Sequence, residues 1–191
     1  MSNIVPLECS CKAVKGQLKI VPGSFFHVQC LCCDCQSFAA HLNNKEQILD
    51  QHGATELVQT YPAYMKITQG QDKVACVQLN EKGLLRWHTA CCNMPLANTM
   101  NSSTVPFVGV SVELMKFDNE QEKLELLGPI TMKAFGKYSI GEMPKDAHAR
   151  FPLSYMPKII AFMLKGMFTH KNRPSPFFNK KVPVTKANVL P

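Results

Sequence analysis

Cys30-Leu31-Cys32-Cys33-Asp34-Cys35 places four of the chain's nine cysteines within six positions. Cys9-Ser10-Cys11 precedes it, and Arg86-Trp87-His88-Thr89-Ala90-Cys91-Cys92 follows it. Thiols crowded in this way either pair as disulfides or hold a soft metal, and the compartment decides between the two. The opening residues Met1-Ser2-Asn3-Ile4-Val5-Pro6 carry no basic stretch leading into an apolar one, so the expectation is a cytoplasmic protein. No apolar run approaches the roughly 18 residues of a spanning helix. In a reducing compartment, short-spaced cysteines read as metal ligands or redox groups, and an odd total also fits complete pairing poorly. Zinc is the expected ion, at two sites per chain.

Zinc prefers four thiolates and imidazoles in a tetrahedron, and Cys-x-Cys or Cys-x-x-Cys spacing lets one turn supply two of them. Cys9, Cys11, His88 and Cys91 can form a closed structural site, with Cys92 able to stand in for His88. Such a site would staple a residue near position 10 to one near 90. Cys30, Cys32 and Cys35 remain as a trio with a vacant fourth position, which is the pattern of a working zinc site. Three thiolates leave the centre with a net charge of about −1, so a substrate thiolate is a better guest there than water. Asp34 and His41 are the candidate proton carriers. Cys33 is either a bystander or a fourth ligand, and Cys76, inside an alternating stretch, reads as core.

The rest of the chain reads as mainly β. Its 191 residues, 46% of them apolar, suit one antiparallel core with an extension. Strand patterns fall at Lys12–Val21, around Phe26 and Val28, and at Leu57-Val58, Tyr64–Ile67, Val74–Leu79, Leu84–His88 and Val105–Leu114, separated by turn residues. Short helical turns are expected at Gln36–Leu42 and Asn44–Gln51. Charge divides the chain near Gly128-Pro129: residues 1–128 carry 10 Lys+Arg against 12 Asp+Glu, and residues 129–191 carry 11 against 2. The reading is a zinc-binding β domain over 1–128 and a basic, partly helical extension over 129–191. Within the extension an amphipathic helix is expected at about 154–169, with Ile159, Ile160, Met163, Leu164, Met167 and Phe168 packing into the core. Phe177 and Phe178 are expected to dock the end of the chain on the body.

The three cysteine blocks, Cys9-x-Cys11, Cys30-x-Cys32-x-x-Cys35 and Trp87-His88-x-x-Cys91, resemble the glutathione-dependent formaldehyde-activating enzyme family, which includes the centromere protein V type proteins. The resemblance spans about residues 7–100, and the remainder is similar to an uncharacterised bacterial branch of that superfamily. It implies an Mss4-like zinc-binding fold. By position, Cys9, Cys11, His88 and Cys91 become structural ligands, and Cys30, Cys32 and Cys35 hold a zinc to which glutathione binds as co-substrate. The implied reaction joins glutathione to formaldehyde, a carbon–sulfur lyase reaction run in reverse. His88 stands where the family usually has cysteine, Leu31 where it has histidine, Gln36 where it has arginine, and Ala39-Ala40 where it has a glycine-containing turn.

Two function classes follow. One is a zinc enzyme acting on the adduct of a small thiol, the other a non-catalytic zinc module that binds a protein or anionic partner through its basic segment. Nucleotide-binding glycine loops, the His-Glu-x-x-His and Gly-x-Ser-x-Gly signatures and the His-x-Glu of zinc deaminases are absent from the sequence. With no finger helix and no aromatic-basic interleaving, nucleic acid is not an expected partner.

Overall fold

The computed structural model describes residues 3–190. The chain is mainly β, as the alternating patterns imply. Strands β1 (Asn3–Glu8), β2 (Lys15–Ile20) and β3 (Phe26–Cys30) lead into helices α1 (Cys33–His41) and α2 (Lys45–Ile48). Six further strands follow: β4 (Thr55–Thr60), β5 (Met65–Gln69), β6 (Val74–Gln78), β7 (Leu85–Thr89), β8 (Pro95–Thr99) and β9 (Val108–Ser111). Then come α3 (Glu120–Leu127), β10 (Met132–Ala134), α4 (Met156–Phe168) and the two-residue strands β11 (Phe178–Asn179), β12 (Val182–Pro183) and β13 (Asn188–Val189). The patterns at Asn3–Glu8, Pro95–Thr99 and Glu120–Leu127 are elements that the sequence reading did not single out. β8 is buried along its whole length, so it has no polar alternation to reveal it.

A large sheet runs in the order β10-β3-β4-β9-β8-β7-β6-β13, and a smaller one in the order β1-β2-β5. All pairings inside the large sheet are antiparallel except at its two edges, where β10 lies parallel to β3 and β13 parallel to β6. The core fills the space beside these sheets with Val5, Leu7, Leu18, Val58, Trp87, Leu96, Val110 and Leu114, none of them more than 4% exposed. Cys76 is 3% exposed in the same cluster, which agrees with its reading as a core residue.

The basic segment after residue 129 is woven into this framework. It supplies both edge strands of the large sheet, and Phe177 is fully buried with its ring stacked 4.8 Å from Trp87. The shift in charge at Gly128-Pro129 therefore marks a change in surface composition, while the sheet continues across it.

Helix α4 departs from its expected orientation. It docks through Phe162, stacked 4.2 Å from Tyr61, and through Gly166, where an added Cβ would come within 2.6 Å of the Tyr61 ring. Tyr61 also donates its hydroxyl proton to the Phe162 carbonyl at 2.8 Å. Close approach at the glycine fixes which face turns inward, so Ile160, Leu164, Met167 and Phe168 stand 47–81% exposed instead of entering the core.

At the other edge, Glu56 on β4 accepts hydrogen bonds from His27 on β3 at 2.7 Å and from Lys123 on α3 at 2.8 Å. Burial alone pushes the Glu56 carboxyl up, but these two partners outweigh it and hold it below the usual carboxylate range. A carboxyl held low adds stability that is complete above its unfolded pKa and is lost as pH falls through the folded one. Glu56→Gln should therefore cost on the order of 1 kcal/mol at neutral pH and progressively less below about pH 4, read from urea denaturation at both pH values. Phe177→Ala should cost about 3–5 kcal/mol in the same assay, because it empties a filled site against Trp87.

Candidate metal centres

The first centre is built by two tight turns. Between β1 and β2 the chain reverses at Cys9-Ser10-Cys11-Lys12, with Lys12 in the left-handed region and its N–H donating to the Cys9 carbonyl at 2.8 Å. Between β7 and β8 it reverses at Ala90-Cys91-Cys92-Asn93, where Asn93 takes the left-handed position and its N–H donates to the Thr89 carbonyl at 2.9 Å. The turns face each other and bring the Sγ atoms of Cys9, Cys11, Cys91 and Cys92 within 4.8 Å of one another. Individual separations are 3.6 Å for Cys9–Cys11, 4.0 Å for Cys9–Cys91, 3.2 Å for Cys11–Cys91 and 3.8 Å for Cys91–Cys92. A tetrahedral ion with metal–sulfur bonds of about 2.3 Å requires sulfurs about 3.8 Å apart. These four are close to that spacing, so the donor set fits a divalent ion of zinc's size and softness.

The four clustered side chains do not include His88; the fourth is Cys92. Successive strand residues face opposite sides. Trp87 points to the core and Phe177, whereas His88 points to α1, its ring 6.3 Å from both Phe38 and His41. His88 is 9% exposed and its Nδ1 has no hydrogen-bond partner among the described residues; burial lowers its pKa. The surroundings of Cys92 favour its thiolate. Burial works against its ionisation, but hydrogen bonds from the Ser10 and Thr89 hydroxyls and the Cys11 backbone overcome it and bring the thiol down to about 6. Cys91, by contrast, is pushed up to about 12, first by burial and then by its cysteine neighbours. Without a cation the cluster cannot hold four negative charges, and each thiolate keeps its neighbours protonated.

The second centre is the trio Cys30, Cys32 and Cys35, whose sulfurs also lie within 4.8 Å of one another. Cys30 ends β3, Cys32 caps α1, and Cys35 lies in the first helical turn with its N–H donating to the Cys32 sulfur at 3.4 Å. Unpaired N–H groups at a helix start favour thiolates. Cys35 is held well below the usual thiol range, first by hydrogen bonds from Cys30 and Cys32 and then by the charge of Arg86; the same sharing drives Cys30 up. Cys33 turns outward, its sulfur 3.7 Å from the Asp34 carboxylate, and is not part of the trio.

Arg86 is a buried cation beside the trio that no spacing in the sequence announces. It is 3% exposed on β7, with Nη1 3.8 Å from the Cys35 sulfur and 3.5 Å from the Asn98 carboxamide oxygen, and Nη2 3.6 Å from the Asp34 carboxylate. Its guanidinium also lies 5.5 Å from the centre of the Phe38 ring. A buried guanidinium needs negative charge beside it, and Cys35 and Asp34 provide it. The burial of Arg86 depends on α1 lying across β7. Asp34 stands on the rim of the trio. His41 is seven residues further along α1, about 10 Å at the usual helical rise, and meets His88 instead.

A cleft of about 550 Å3 opens beside Cys32, Cys33 and Asp34, with Phe135, Lys137, Tyr138, Arg150 and Phe151 as its other wall. Strand pairing explains this meeting: Ala134 on β10 is the register partner of Cys30, so the chain leaving β10 runs alongside the trio.

The chain matches DUF6151 over residues 1–188. It belongs to that family, described as a family of unknown function. No curated protein matches it. Among solved structures, a crystal structure of a Rhodobacter sphaeroides protein from a structural genomics effort is similar over 62% of this chain and 94% of that one, with 14% sequence identity and a TM-score of 0.45. Among the described residues, no helix is long and apolar enough to cross a membrane.

If both clusters bind, elemental analysis of freshly purified protein should give two metal ions per chain. His88→Gln should keep both, whereas Cys92→Ser should lose one and lower the melting temperature sharply, since structural sites of this kind contribute on the order of 10 kcal/mol.

Proposed function

We propose that this protein is a zinc enzyme that makes or breaks the carbon–sulfur bond between a small thiol and an aldehyde, glutathione and formaldehyde being the pair that the sequence resemblance implies. The observation that carries this reading is the contrast between the clusters. Four sulfurs converge where two turns meet, but three converge at the start of α1, and one of those three, Cys32, lines a cleft. Zinc at the trio would supply an electrophilic position for the thiol sulfur and lower its pKa.

The chain's own residues account for the remaining requirements. Arg86 offsets the negative charge of the trio from the buried side. At the start of α1 the Cys35 N–H donates to the Cys32 sulfur, and the positive end of the helix favours its thiolate. Asp34, on the rim and 3.6 Å from Arg86, is placed to take the proton of the incoming thiol and return it to the aldehyde oxygen. In that addition the S–H bond and the carbonyl π bond break while a C–S and an O–H bond form, so neither oxidant nor reductant is needed. His41 stands at the far end of α1, and the proton is assigned to Asp34 alone.

Titrating zinc-loaded protein with glutathione in a calorimeter should give heat, and adding labelled formaldehyde should speed its exchange with the glutathione adduct by NMR. Asp34→Asn should keep the glutathione heat and slow the exchange by about 10²-fold or more. Absence of heat, together with no change on adding formaldehyde, would overturn the assignment.

One observation favours a second reading, a zinc module that binds a partner through its basic segment. The outer side of α4 and the turn before it leave Leu153 79% and Phe168 81% exposed, with Lys158 and Lys165 alongside. Under that reading the absorption of the cobalt-substituted trio does not respond to added thiols.

A further inference from the structure

We infer that Lys137 and Arg150 form a carboxylate-binding subsite, which makes the trio selective for small thiols that carry acid groups. This deepens the proposed function and rests on it. The two cations line the cleft on the wall opposite Cys32, and among the described residues neither makes an ion pair. The one carboxylate on the lining, Asp34, is engaged by Arg86. The cleft therefore offers two uncommitted positive charges to whatever enters it.

The wall that carries them is held in place by the backbone. The Gly136 N–H donates to the His148 carbonyl at 2.8 Å and the Lys137 N–H to the Ala149 carbonyl at 3.2 Å, which sets Arg150 beside Lys137 across a paired stretch. Gln36, on the first turns of α1, donates one side-chain amide to the Leu31 carbonyl at 2.9 Å and to the Tyr138 carbonyl at 2.8 Å, tying this wall to the cysteine loop. Lys137 Nζ lies 4.5 Å from the centre of the Tyr138 ring, which restrains the ammonium without neutralising it. Phe135 sits at φ 65°, a conformation that a bulky residue adopts at a cost, and its ring stands 6.3 Å from that of Phe151. A cleft that gathers a cysteine of the trio, apolar rings and two free cations matches a peptide-like thiol bearing carboxylates. A neutral thiol would use the first of these and leave the cations unanswered.

The test uses full-length cobalt-substituted protein, whose thiolate absorption bands report a sulfur arriving at the trio. The probes are glutathione, its diethyl ester and 2-mercaptoethanol, each titrated into the wild type and into Lys137→Ala/Arg150→Ala. The wild type should bind glutathione about tenfold or more tightly than the ester, with affinity falling as salt rises. In the double variant the two ligands should bind alike while the ester's own affinity and the metal content stay unchanged, because both side chains are exposed. Equal binding of acid and ester by the wild type, or a preference that survives in the variant, would overturn the subsite while a response to 2-mercaptoethanol leaves the open trio standing. If none of the three thiols changes the bands, the open-site reading fails and the subsite with it.

Discussion

The architecture depends on four sulfurs brought together from the two ends of the core. Cys9 and Cys91 are separated by 82 positions, and their sulfurs are 4.0 Å apart. The turns that carry them join β1 to β2 and β7 to β8, so this contact ties the small sheet to the large one. Four thiols at tetrahedral spacing are a poor arrangement in the absence of a cation. Sulfhydryl groups are weak hydrogen-bond partners, and as thiolates they repel one another. Bound to a divalent ion, the same arrangement becomes the strongest crosslink that this fold can make in a reducing environment.

The trio of Cys30, Cys32 and Cys35 answers to different physics. Its geometry comes from a strand end and a helix start, with Cys32 acting as both cap and candidate ligand. Arg86 reaches it from the side of β7 that α1 covers, so the electrostatics of the trio are set by a residue more than fifty positions downstream. A buried guanidinium is expensive to desolvate and is held here by Cys35, Asp34 and Asn98 together. Through β7, Arg86 faces one cluster while the turn after Thr89 supplies the other, which makes that strand the physical link between them.

The basic extension contributes both to the sheet and to the cleft. Its strand β10 seals the edge beside β3, Phe177 fills a place against Trp87, and the loop after β10 walls the cleft. The outer side of α4 is different in kind, because Gly166 draws the helix in by one flank and leaves the more apolar flank outward.

The sequence by itself determined the mainly β class, the positions of most strands, and the grouping of cysteines into two clusters, because alternation and thiol spacing are local properties of the chain. It pointed to His88 as the fourth member of the first cluster, with Cys92 as its replacement, whereas the structure gathers Cys92. That choice follows from side-chain direction: His88 still belongs to β7 and faces α1, whereas Cys92 lies past the strand end, where the turn redirects it. Strand β8 and the buried Arg86 left no local trace, since full burial erases alternation and one arginine looks like any other until something covers it. Tertiary structure alone decided that the chain after β10 would stand opposite Cys32, because that meeting rests on a parallel strand pairing across about a hundred residues, which no short-range pattern encodes.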